Sequence, residues 1–454
     1  MVIERLKNLE GNSRRNFLRF TAAVGAVLAL DRAKVLDVIS DTGGTALAEE
    51  GCSPNCRSVH LVAGNGGFAW FQLLWPHVEI ATSSNPGFAF HAQGQALKAI
   101  DTDKDFYFAP ESPWQALGKA KRITGFMAGT NETHNPTPMS SATLGAGQSM
   151  LACVAAIQRG TPSLLPVIAV DPVNFGTAPG APDIATVGNA DGMVQLFNSA
   201  ASQATLVNAE DAALFEAYYK AFLGLNKAAG RSTFARPLRT GKTSANFLGK
   251  NLSAQLMPTA ADLTNYGLDT GTPTKLSEIG RALITSVKAF KLGLTQSVII
   301  PAMQDDPHGA FGDMPNLNMT VGALGKMLDA FMNDMTAIQD PACITRSLGD
   351  MVVLTVHGDT PKDPRDRSGW PDGTPSNSNW LYAMGNGYIK TGWFGGVKAD
   401  GSVSGFDPST GQEVPGKPSN DTSASAVAAV AVAVARGDIK RVKDFHTARR
   451  STGS

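Results

Sequence analysis

Met351-Val352-Val353-Leu354-Thr355-Val356 runs directly into His357-Gly358-Asp359-Thr360. A continuous apolar, β-branched run of this kind reads as a strand covered on both faces, because a half-exposed strand alternates apolar with polar residues. Three further runs share this form: residues 59–63 enter Gly64-Asn65-Gly66-Gly67, residues 164–170 end at Asp171, and residues 296–300 lead into Pro301-Ala302-Met303-Gln304-Asp305-Asp306. Helical spacing fills the intervals. Ile279, Leu283, Val287 and Phe290 recur within 276–290, and Leu324, Leu328, Phe331, Met335 and Ile338 within 322–338. Residues 209–225 follow Asn208 as N-cap, with Glu210 and Asp211 in the first turn. The Ala/Val run 424–435 suits a buried helix and is too short to span a bilayer. Strands alternating with helices predict an α/β fold with a mostly parallel central sheet flanked by helices. Residues 395–418, rich in Gly, Ser, Asp and Pro, read as a surface excursion.

The chain has 454 residues, with 39 Lys+Arg against 39 Asp+Glu, and only 17% of its residues are charged. That balance excludes a nucleic-acid partner held by phosphate contacts, and four Cys are too few for a disulfide scaffold. Ser13-Arg14-Arg15-Asn16-Phe17-Leu18-Arg19 precedes an apolar run over 20–30 and then Ala46-Leu47-Ala48. The order resembles a bacterial twin-arginine export signal cleaved after Ala48. The resemblance implies the twin-arginine translocase as a transient partner and a periplasmic or extracellular destination. Residues 49–454 are then expected as one domain that does not span the membrane. Without residues 1–48 the balance becomes 32 basic to 34 acidic residues. Cys52 and Cys56 stand just past the cleavage site, where an oxidising compartment permits a disulfide. A metal site is the rival reading, although no second Cys pair completes it.

Several motifs fail on spacing. Gly241-Lys242-Thr243 would place the first Gly of a phosphate loop on Arg236. Gly147-Gln148-Ser149-Met150-Leu151 has Leu where a serine-hydrolase elbow closes on Gly. The polar clusters after the strands remain. Asp306-Pro307-His308 follows the third run and His357-Gly358-Asp359-Thr360 the fourth. Ligands in open α/β sheets gather at the carboxyl ends of strands, and carboxylate with neutral imidazole suits a divalent ion. Asn131-Glu132-Thr133-His134-Asn135 forms a third cluster, with Ser140 beyond it as a hydroxyl able to serve as nucleophile. The competing structural reading makes all three clusters tight turns and helix caps. His60, His77, His91 and His446 read as packing or surface residues.

The order of the clusters resembles an exported bacterial family of the alkaline phosphatase/sulfatase superfamily. Asp306-Pro307-His308-Gly309 is similar to its Asp-Thr-His element, and Gly358-Asp359-Thr360-Pro361 to its Gly-Arg-Thr-Pro element. Trp380 followed by Gly385-Asn386-Gly387-Tyr388-Ile389-Lys390-Thr391-Gly392 resembles the closing Trp and glycine turn. The resemblance implies an alkaline phosphatase/sulfatase-like fold and a periplasmic or cell-surface hydrolase of small anionic phosphate or sulfate esters. A divalent metal (zinc, manganese or calcium) would be held by Asp306, His308, His357 and Asp359, with Thr360 or Ser140 orienting or attacking the ester. Departures stand beside the matches. The turn 64–67 lacks an Asp, Ser378 and Asn379 replace Asp-His before Trp380, and Asp359 replaces an Arg. These losses motivate an alternative: a catalytically inactive relative that binds an unknown surface partner or serves in assembly.

Overall fold

Arg57–Ala63 (β1), Arg122–Thr130 (β2), Leu165–Val170 (β3), Ala185–Val187 (β4), Thr295–Pro301 (β5), Val352–Gly358 (β6), Ser378–Gly385 (β7) and Gly392–Phe394 (β8) make one eight-stranded sheet, in the order β8-β2-β7-β6-β1-β5-β3-β4. This computed structural model describes residues 53–447 except 54, 90–95, 113, 115–120, 146, 160, 162, 198–250, 342, 386 and 417–418. The export signal with Arg14, Arg15, Ala46 and Ala48, together with Cys52 and the helix expected over 209–225, lies outside the described residues. β1 pairs in parallel with β6 and β5, β3 with β5 and β4, and β2 with β8. β7 alone runs against its neighbours β6 and β2. The sheet is therefore mixed but mostly parallel, and the α/β class follows.

Helices cover both faces, which is why the strands lack alternation. Val59 and Leu61 of β1 point into one apolar layer with Leu283 and Phe290 of Thr274–Lys291 and with Leu324 and Phe331 of Met314–Ala337. Val62, Ile299 and Val353 point the other way, against Val154 of Met150–Gln158 and Val427 and Val430 of Ser419–Val434. We label the four helices α1 (Met150–Gln158), α2 (Thr274–Lys291), α3 (Met314–Ala337) and α4 (Ser419–Val434). Among the described residues no helix is long and apolar enough to cross a membrane.

The structure departs from the sequence reading in places. α3 starts at Met314 rather than 322, because the Asp313 side chain accepts from Asn316 N–H and Pro315 suits the first turn. β2 and β7 escape an apolar-run search because glycines and polar residues interrupt them. Gly125 in β2 is required by packing: a Cβ there would lie 2.7 Å from the Trp393 ring. The Gly-rich stretch 395–418 carries a three-stranded antiparallel sheet, Gly396–Val397, Val403–Phe406 and Glu413–Pro415, with Phe406 packed on Phe126 and Phe394. The expected Cys52–Cys56 disulfide is corrected. Cys56 carries a thiol, buried in the layer between sheet, α1 and α4, while Cys343 is the disulfide-bonded cysteine among the described residues. The backbone explains the inward turn of Cys56, since its N–H donates to Val434 O and its carbonyl accepts from Gln158 Nε2 as the chain enters β1.

Candidate metal centre at the carboxyl edge of the sheet

β1, β2, β5 and β6 are parallel, so the loops that follow them emerge at one edge, and antiparallel β7 begins there. The loop after β1 is built to let its neighbours close. Gly66 has φ +88°, and a Cβ on it would sit 2.8 Å from Asp306 Cβ; a Cβ on Gly67 would meet Met303 O at 2.1 Å. Only residues without a side chain allow this approach. The Gly66 N–H instead donates to Asp359 Oδ2 at 2.8 Å, tying the loops after β1 and β6 together.

His134 Nε2 and one oxygen from each of Asp306 and Asp372 lie within 4.8 Å of one another. His134 comes from the loop after β2 and adopts φ +46°, in the left-handed region where His is tolerated better than most residues. Its Nε2 is 3.0 Å from Asp372 Oδ2 and 3.4 Å from Asp306 Oδ2. Lys362 lies behind the carboxylates with its side chain fully buried. Its Nζ contacts Asp306 Oδ1 at 2.9 Å and Asp372 Oδ1. His308 flanks the group, with Nδ1 2.7 Å from Asp306 Oδ2 and 3.0 Å from Lys362 Nζ. Burial raises the Asp372 carboxyl, but hydrogen bonds from Lys362 and His134 outweigh it and hold the group below the ordinary carboxylate range. The His134 side chain is 43% exposed and that of His308 49%, so solvent and small solutes reach the imidazole side.

The surrounding residues hold this cluster. Thr360 Oγ1 accepts from His134 N–H at 2.9 Å and donates to Glu132 O at 3.1 Å, fastening the His134 loop to the end of β6. His357 hydrogen-bonds Pro138 O in the same loop from below; burial pushes its ring down to about 4 against that bond, so it packs as neutral imidazole. The Glu132 carboxylate accepts from Asn135 Nδ2 at 3.0 Å and from the N–H groups of Met139 at 2.7 Å and Ser140 at 2.5 Å. Gln72 pairs with the backbone of Lys362, donating to its carbonyl at 3.0 Å and accepting its N–H at 3.3 Å. Lys362 and Asp372 face each other across an antiparallel bridge that closes the excursion between them.

The expected residues thus separate by role. Asp306 and His308 share the open cluster. His357 and Asp359 are buried beneath it: Asp359 takes hydrogen bonds from Gly66 and Thr360, and burial raises its carboxyl above the ordinary range. Thr360 is fully buried, and the Ser140 hydroxyl donates to Thr130 O as the chain turns into a short 3-10 helix. Ser378 Oγ bonds back to Pro375 O, while Asn379 Nδ2 donates to the carbonyls of Gly358 and Asp359, both at 2.9 Å. His134 stood in a recognised cluster without a metal role, and Lys362 and Asp372 carried no signal beyond a position after β6. The cue available for His134 was its place after a strand, which required β2 to be recognised first.

The donor set, one imidazole and two carboxylates with one side open, suits a divalent ion with vacant positions for water or substrate. No protein-family model matches the chain, and no curated protein matches it significantly.

Proposed function

We propose that this is an exported hydrolase-like protein with an alkaline phosphatase/sulfatase-like core, acting on small phosphate or sulfate esters at a divalent metal held by His134, Asp306 and Asp372. The observation that carries the reading is the convergence of one imidazole and two carboxylates at the carboxyl edge of the sheet. The export part rests on Arg14-Arg15 and its flanking residues. A bound divalent ion supplies positive charge against a developing anion and lowers the pKa of water. The chain's own part is positional. Asp306 and Asp372, with His134, would hold the ion, while Lys362 keeps both carboxylates aimed through Oδ1 and Thr360 fixes the backbone of His134. His308, half exposed and paired with Asp306, borders the open side.

The test is metal content of the natively exported protein together with turnover of aryl phosphate and aryl sulfate. Near-stoichiometric zinc, manganese or calcium is expected, and Asp306→Asn or Asp372→Asn should lose the metal and at least ~100-fold of the turnover. Metal-free protein with no turnover defeats the proposal. A second reading, a metal-free binding or assembly protein, is favoured by Lys362: its buried ammonium already neutralises part of the Asp306–Asp372 charge, so the cluster can stand without an added cation.

A further inference from the structure

We infer that Lys362 fills, as a permanent ammonium, the second of two cation positions in a paired-carboxylate site, so that the native chain takes one divalent ion and not two. The inference rests on the metal-centre reading above. Asp306 and Asp372 each turn one oxygen to either side. On the open side, Asp306 Oδ2 and Asp372 Oδ2 stand 3.4 Å and 3.0 Å from His134 Nε2. On the Lys362 side, Asp306 Oδ1 at 2.9 Å, Asp372 Oδ1 and the half-exposed His308, with Nδ1 at 3.0 Å, surround the buried Lys362 Nζ. The two sides therefore carry donor sets of one composition: an imidazole nitrogen and two carboxylate oxygens. His308 Nδ1 also lies 2.7 Å from Asp306 Oδ2 and so borders both sides.

An ammonium has three hydrogens, and with the His308 Nδ1 hydrogen given to Asp306 Oδ2 the acceptors that face it are Asp306 Oδ1, Asp372 Oδ1 and His308 Nε2 at 3.3 Å. Its N···O contact of 2.9 Å to Asp306 is hydrogen-bond length, well beyond the roughly 2.0–2.2 Å of a zinc–carboxylate bond. Charge points the same way. Two carboxylates and one ammonium leave a single negative charge, which one divalent ion reverses to a single positive. A second ion beside the ammonium would leave a large unscreened excess at a half-buried site. The Lys362 side chain is 0% exposed and Gln72 holds its backbone in place, so the ammonium swings aside only by breaking its contacts to Asp306 and Asp372.

The experiment is a zinc titration of the metal-stripped full chain, read by calorimetry and elemental analysis. Wild type should bind one zinc ion per chain and Lys362→Ala two, because the substitution frees the His308-side donors. Adding His308→Ala to that variant should restore one. Where Lys362→Ala does not fold, two single variants decide: His134→Ala should lose the wild-type ion and His308→Ala should keep it. Two ions in the wild type, one ion in folded Lys362→Ala, or loss of the ion in His308→Ala overturns this inference alone. No ion in any variant overturns the metal-centre reading along with it.

Discussion

Gly66 concentrates the constraints of the centre in one position. Its φ of +88° disfavours any L side chain, and the space a Cβ needs is taken by Asp306. Gly66→Ala should cost about 2–4 kcal/mol, from left-handed strain and overpacking together. Urea denaturation measures it, and a wild-type midpoint would show that the loop yields easily. The Gly-Asn-Gly-Gly turn is visible in the sequence, but its reason is not, since the colliding atom comes from a residue 240 positions later. The same limit hid the partners of His134. Asp306 belongs to another loop, and Asp372 returns only through the bridge to Lys362. Thr360 and His357 show the converse. Residue type and a strand-end position made them candidates for chemistry, whereas their surroundings make them supports for the loop that carries His134.

At the scale of elements, α4 joins the hidden strand to the core. Ser423, fully buried on α4, donates toward Ser140 O at 3.2 Å and Thr143 O at 2.9 Å and accepts Thr143 N–H at 3.2 Å. One hydroxyl thus closes the turn after the His134 loop. Ser423→Ala should cost about 1–3 kcal/mol, the penalty for removing a buried hydroxyl that bridges three backbone groups. Faster hydrogen exchange at Thr143 is the accompanying signature; unchanged exchange would mean the turn is held by other contacts. The apolar runs of β1, β3, β5 and β6 were legible because both faces of each are covered. β2 and β7 were not, because their glycines and polar residues answer to Trp393 and to neighbouring carbonyls rather than to a periodicity.

For the whole molecule, buried histidines set the acid limit. Burial pushes His60 and His77 down to about 3 and His357 to about 4, from 6.5, so the folded chain keeps them neutral where the unfolded chain takes up protons. Their contribution is complete above pH 6.5 and is lost progressively as pH falls, toward 4 for His357 and toward 3 for His60 and His77. Between pH 7 and pH 5 the loss should be on the order of 2 kcal/mol per ring. Asp359, raised by burial, acts in the opposite direction as it takes up its proton. Urea midpoints at the two pH values check the sum, and equal midpoints would contradict it. Sequence was sufficient for the α/β class, four strands and the end of the sheet where polar groups collect, because burial on both faces writes itself into composition over a few consecutive residues. The meeting of His134 with Asp306 and Asp372, the ammonium behind them and, among the described residues, the disulfide-bonded state of Cys343 came only from tertiary structure. Each depends on which distant loops meet at one edge, and no local period in the chain encodes that meeting.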